Sequence, residues 1–195
     1  MARLSGAERR RQIVEAATEA VLRRGLAQAA TRDVTKALGV GSGLLHHYFP
    51  SWAELRAEAV RLAARREIDE VQALVAGLPG LEALERLADW MVEDGDMRHW
   101  RLWLNAQDEA HRDDRLAQVM NASMAEWHQL IADLLVRTGK KRGSQRIDTE
   151  AAAWRLAALM DGLAGAMLIR GSRVTPAKAR DLMKTQLLLE LGRKA

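Results

Sequence analysis

Residues Thr31 to Phe49, TRDVTKALGVGSGLLHHYF, constrain this chain more than any other stretch. They read as two short helices joined by a tight turn. Thr31 is placed to cap the first, its side-chain oxygen accepting an N–H that the first helical turn leaves unpaired. Val34, Ala37 and Leu38 follow at three- and four-residue spacing and make one inward face. Gly39 ends the helix, since a left-handed residue after the last turn costs glycine almost nothing. Val40 plugs the turn. From Ser42 a second helix carries Leu45 and Phe49 inward, while Ser42, Leu44, His46 and His47 face outward. Helix, glycine-containing turn and helix is the form of a DNA-reading motif, and equally of an ordinary helical hairpin; these residues alone leave both open.

The neighbouring residues narrow the choice. Thr31, Val34, Leu38, Gly39, Val40, Gly43, Leu45, Tyr48, Phe49, Ser51, Glu54 and Leu55 together resemble the DNA-binding domain of the TetR family of bacterial regulators. The resemblance implies a three-helix head at the start of the chain, with the second short helix entering the major groove. It further implies a DNA-facing set made of Thr31, Arg32, Ser42, Gly43, Leu44, His46, His47, Tyr48 and Trp52. Three positions depart from the family pattern: Gly41 replaces the usual cap, His46 the usual aromatic and Trp52 the usual lysine. These departures bear on base preference and phosphate contacts, not on the family.

Charge agrees with that placement. Residues 1–50 hold eight Lys/Arg against four Asp/Glu, whereas residues 51–195 hold 22 of each, so the whole net charge of +4 sits on the proposed head. A basic segment is often only a solvated face, but here it coincides with the segment that would meet phosphate. Cysteine is absent, which excludes disulfide and thiolate chemistry. The opening MARLSGAERRRQ has no apolar run after its basic residues and does not read as a signal peptide.

Taken in order, the chain reads as helices throughout. Ser5 and Glu8 form a capping box ahead of a helix reaching about Arg24, with Ile13, Ala16, Ala17, Ala20 and Val21 as its inward stripe and Arg9, Arg10 and Arg11 on the side free to lean on a DNA backbone. Ser51 and Glu54 form a second box before a connecting helix that runs to about Val75. Pro79–Gly80 marks the next boundary. Leu81, Leu84, Leu87, Ala88 and Met91 stripe the first body helix, and Asp96 is placed to cap a second helix carrying Trp100, Trp103, Leu104 and Gln107. A long helix spans about Arg115 to Thr138 and ends at Gly139. KKRGSQR, Lys140 to Arg146, reads as a solvated connecting loop. The next helix, from Asp148 or Thr149 to about Arg170, is apolar on nearly every side, which predicts burial all round. A membrane span would place Arg155 and Asp161 in the bilayer at a cost of about 2.5–3.5 kcal/mol each, so packing between its own domain and a second copy is the better reading. Thr175 caps the last helix, with Pro176 in its first turn, and Leu182, Met183, Leu187 and Leu191 on its apolar side.

The expectation is therefore an all-α protein of about nine helices: a helix-turn-helix DNA-binding domain over residues 1–50, a connecting helix over 51–75, and a ligand-binding and dimerisation domain over 76–195. WRLWLNAQDEAHRDDRLAQ and LAALMDGLAGAMLIRG further resemble the effector domain of the choline-responsive, BetI-type branch of the TetR family.

Enzyme motifs are missing. None of the five histidines shows metal-ligand spacing with a neighbouring carboxylate, and no nucleophile elbow, phosphate loop or dinucleotide fingerprint occurs. No catalytic residue, metal or cofactor is expected. The tryptophans are more informative, since Trp90, Trp100, Trp103, Trp127 and Trp154 are the only aromatic residues of the body. Each could be core filling with its N–H satisfied. As a group they could wall a pocket, where indole faces hold a cation and Gln107 and Asp161 act as polar fixtures. Asp161 could as well serve a helix crossing. Ala158, Gly162 and Ala166 form a small-residue ridge that, with Leu182 and Leu187, fits a dimer interface.

The resemblance thus predicts a cytoplasmic, homodimeric repressor that binds a palindromic operator in double-stranded DNA and is relieved by a small-molecule effector, cationic or apolar, with no membrane partner. A small-molecule enzyme and a helical module that binds no DNA are the rival classes.

Overall fold

Glycine and capping residues set the element boundaries much as their chemistry requires. In the computed structural model, residues 5–93, 95–139, 141–142 and 145–192 are described; the expectations resting on Asp94, Lys140, Gly143 and Ser144 lie outside them. Nine α-helices are present among the described residues: α1 (Gly6–Arg24), α2 (Thr31–Leu38), α3 (Ser42–Tyr48), α4 (Trp52–Leu74), α5 (Gly80–Glu93), α6 (Arg98–Glu109), α7 (Asp114–Arg137), α8 (Thr149–Leu168) and α9 (Pro176–Glu190). The segment after α7 is more than a loop. Lys141–Arg142 (β1) and Gln145–Arg146 (β2) pair antiparallel in a ladder two residues long. The fold is all-α apart from this ladder.

The chain divides into two compact units that do not follow chain order. The first takes residues 1–66 and 98–123, the second 67–97 and 124–195. In the first, α1 begins at a complete capping box: Glu8 N–H donates to Ser5 Oγ, and Ser5 N–H donates to the Glu8 carboxylate. Gly25, at φ 84°, ends it. Ile13, Val14, Ala17, Ala20 and Val21 join Leu26, Val34, Leu45, Phe49, Leu55 and Val60 in one core, completed by Leu102 and Ala106 of α6 and by Leu116, Val119 and Met120 of α7. The buried Thr18 hydroxyl donates to the carbonyls of Val14 and Ala59.

Two expectations for α2 are corrected. Thr31 lies inside the helix and does not cap it; the Ala30 N–H instead donates to Asp33 Oδ2 at 2.9 Å. The carboxylate reaches back one turn and is held there by Arg24, 3.0 Å away. Ala37 is exposed, because Val34 and the partly buried Leu38 already fill the inward side of so short a helix. α6 begins at Arg98, directly after Met97, which has φ 50°.

The second unit packs α5 and α8 on α9, with the second halves of α4 and α7 supplying Ile68, Val71, Ile131, Leu134 and Leu135 to its buried residues. α5 buries Ala83, Leu84, Leu87, Ala88 and Met91. At Gly80 the helix touches backbone: a Cβ there would collide with Thr138 N and lie 2.6 Å from the Arg137 carbonyl carbon. Asp89 of α5 meets Arg180 and Lys184 of α9 at 2.9 and 3.0 Å.

Within a single chain α8 is buried along one side. Ala152, Ala153, Leu156, Met160, Leu163 and Ala164 are buried, but Trp154, Ala158 and Gly162, one turn apart, are exposed in the single chain. Among the described residues α8 is the one helix long and apolar enough to cross a membrane by length and composition. Arg155, in its second turn, is held by the buried Glu190 of α9, Nε to Oε1 at 2.7 Å and Nη2 to Oε2 at 2.6 Å.

Candidate functional site

The geometry of the first unit places a short helix on the surface with its chemistry outward. In α3, Leu45 and the following Phe49 are 2% exposed and anchor the helix. Seen from that anchor, Ser42, Gly43, His46 and His47 are exposed and Leu44 is partly buried. Gly41 precedes α3 without a side-chain cap, and a Cβ at Gly43 would meet nothing within 4 Å, so the backbone there is open to close approach. Tyr48 is partly buried against the core, edge-on to the His47 ring at 5.0 Å between centroids. Its hydroxyl lies beside the first turn of α1, 4.0 Å from where a Gly6 Cβ would stand. On α2, Arg32 and Lys36 are exposed and Thr31 partly so.

Arginines of α1 also have partners within the chain. Arg10 stacks on Phe49, its guanidinium 4.6 Å from the ring centroid, and pairs with Glu58 at 3.7 Å. It thus braces α1 against α3 and α4. Arg9 donates to Gln12, and Arg11 stays exposed. Trp52 is partly buried and packs against the core of the unit.

The body tryptophans are carried on four helices, α5, α6, α7 and α8. Trp90 and Trp127, on α5 and α7, form a pair with centroids 5.5 Å apart and planes inclined by 34°; Trp90 Nε1 donates to Glu70 Oε1 at 3.1 Å. Trp154 instead stacks on His128, 3.7 Å between centroids. Burial pushes the His128 imidazole pKa down, and the charge of Asp161 opposes that without reversing it. Trp100, Trp103 and Gln107 are partly buried on α6, in the first unit, with Trp103 against its core. Sequence spacing gave the helix faces of these rings but not their neighbours; His128 and Glu70 were missed because nothing in their own helices sets them apart. Of the residues expected at a dimer interface, Leu182 is 41% exposed whereas Leu187 is buried within its own chain; Trp154 of α8 and Leu189 of α9 are also exposed, at 50% and 47%.

Known protein families match both ends of the chain. Residues 13–59 match the bacterial regulatory proteins of the tetR family, and residues 79–192 match the BetI-type transcriptional repressor C-terminal domain. The chain belongs to the TetR family. It is similar to the HTH-type transcriptional regulator PksA of Bacillus subtilis, 30% identical over 80% of this chain and 77% of that protein. It is also similar to the HTH-type transcriptional regulator BetI of Escherichia coli, 25% identical over 90% of each. Among solved structures, a transcriptional regulator from Saccharomonospora viridis in complex with choline superposes with a TM-score of 0.77, at 26% identity over 91% of this chain and 94% of that one. This TetR-family chain is accordingly a DNA-binding transcriptional regulator, in a family of regulators and not of enzymes, with a repressor-type C-terminal domain.

Proposed function

We propose that the protein is a homodimeric, cytoplasmic repressor that holds a palindromic operator and leaves it when a small cationic or amphipathic effector binds the C-terminal domain, residues 76–195. Thr31, Arg32, Ser42, Gly43, Leu44, His46 and His47 read the groove, and Tyr48 donates its hydroxyl to a phosphate. A head of this size covers few base pairs, so two heads related by a two-fold axis are required. The exposed line Trp154, Ala158 and Gly162 of α8, with Leu182 and Leu189 of α9, is the face that a second copy would cover.

The observation that carries the effector reading is the likeness to a choline-bound regulator along nine-tenths of the chain. The tryptophans support it, since indole faces attract quaternary ammonium groups. Effector binding must favour the state that cannot hold DNA, because equal affinity for both states shifts nothing. Titrating tryptophan fluorescence with choline, a polyamine and a neutral apolar drug, with operator release followed in parallel, tests the reading. Quenching and release by choline or the polyamine are expected, weakened in Trp103→Ala and in Trp127→Ala. If only the neutral compound quenches and releases DNA, the cationic effector is excluded.

A further inference from the structure

The DNA-reading helices do not form a unit alone. α6 and the first half of α7 share one core with α1, α2, α3 and the start of α4. Within that unit a single guanidinium ties the start of α4 to the corner between α6 and α7. Arg56, in the second turn of α4, donates from Nη2 to Asp113 Oδ2 at 2.9 Å, and its Nη1 lies 3.6 Å from Glu109 Oε2. The Arg56 and Asp113 side chains are only 16% and 13% exposed. Asp113 also caps α7, its Oδ1 accepting the N–H groups of Arg115 at 3.0 Å and Leu116 at 3.2 Å. Each group in the cluster thus fixes another element: Arg56 the helix that follows the recognition helix, Glu109 the end of α6, Asp113 the start of α7.

Stability alone is a poor account of such a cluster, because desolvating two charges offsets most of what their attraction gives back. Arg56 Nε is moreover buried without a hydrogen-bond partner among the described residues, so the pairing is incomplete. Leu55, Ala57, Ala59 and Val60 beside it already bury α4 in the core. Apolar packing tolerates small slides and rotations, whereas a directional guanidinium–carboxylate bond fixes one register. We propose that Arg56 is a positioning residue for operator binding: its ion pairs with Asp113 and Glu109 set the orientation of the helix-turn-helix on α6 and α7. Arg56 touches no base in this account and acts through the angle at which α3 is presented. The inference rests on operator binding by a two-fold dimer, since that angle then fixes the distance between the two recognition helices.

The test uses the full-length protein, the operator that the wild type selects from a random duplex library, the same operator with one base pair inserted between its half-sites, and an unrelated duplex. Arg56→Met, Asp113→Asn and the double variant are compared, with circular dichroism and thermal unfolding as controls. Arg56→Met is expected to stay helical and to bind the unrelated duplex like the wild type. It should lose about tenfold or more in operator affinity and most of its preference for the native spacing. Asp113→Asn should do the same in smaller measure, and the double variant should be no worse than Arg56→Met, because both changes break one pair. A folded Arg56→Met with wild-type operator affinity and spacing preference overturns the proposal, as do strictly additive losses. Should Arg56→Met not fold, Arg56→Lys decides: it keeps the charge but not the fork, and a spacing preference equal to wild type counts against the role. A wild type that selects no sequence contradicts the DNA-binding reading itself, an outcome distinct from either.

Discussion

Arg32 stands exposed in the first turn of α2. Arg can bridge guanine O6 and N7, so Arg32→Ala should cost about 1–3 kcal/mol on the selected operator and relax one base position, read by titrating operators changed at each position. Equal affinity in the variant removes the assignment. Asp113 carries a pH expectation. Burial pushes its carboxyl up, but the bonds from Arg56 and from the Leu116 and Arg115 N–H groups outweigh that and hold it below the usual carboxylate range. A carboxyl depressed in the folded state adds stability that is fully present above its unfolded pKa, about 3.9, and is lost as pH falls through the folded value. Asp113→Asn should therefore be destabilised at pH 7 and converge on the wild type below about pH 4, measured by urea midpoints across that range. The inward pair Leu45 and Phe49 could be read from spacing alone. The helix cap could not, because Thr31 and Asp33 are both competent and only Arg24, distant in sequence, favours the carboxylate.

At the scale of elements, α5 and α8 each contain a glycine whose surroundings differ sharply. Gly80 faces backbone atoms of the α7 terminus that have no side-chain freedom to yield. Gly80→Ala should thus destabilise by about 1–3 kcal/mol in thermal unfolding, with no effect on DNA contacts in protein that remains folded. Around Gly162, by contrast, a Cβ would meet nothing within 4 Å in its own chain. Gly162→Leu should leave the single-chain fold unchanged and weaken only the dimer, so sedimentation and thermal unfolding separate the two sites. An unchanged dimer in that variant would exclude this face. The composition of α8 suggests burial between its own domain and a second copy, and a single chain leaves the line Trp154, Ala158 and Gly162 exposed. The ladder at Lys141–Arg142 and Gln145–Arg146 was illegible for the opposite reason, since two paired residues leave no periodicity to read.

For the whole molecule, the all-α class and the family follow from motifs along the chain, while the grouping of elements does not. Compactness groups α6 with the DNA-reading helices, and Trp127 with α5 and α8. Such grouping depends on contacts between residues far apart in sequence, to which helical spacing is blind. The central claim remains that α3 reads a sequence in DNA. Selection from a random duplex library, followed by sequencing of the bound fraction, tests it most directly, with a variant carrying His46→Ala and His47→Ala as control. Enrichment of one two-fold symmetric sequence by the wild type, lost or altered in the variant, is the predicted result. Recovery of no sequence above the input, or of the same sequence by both proteins, would contradict it.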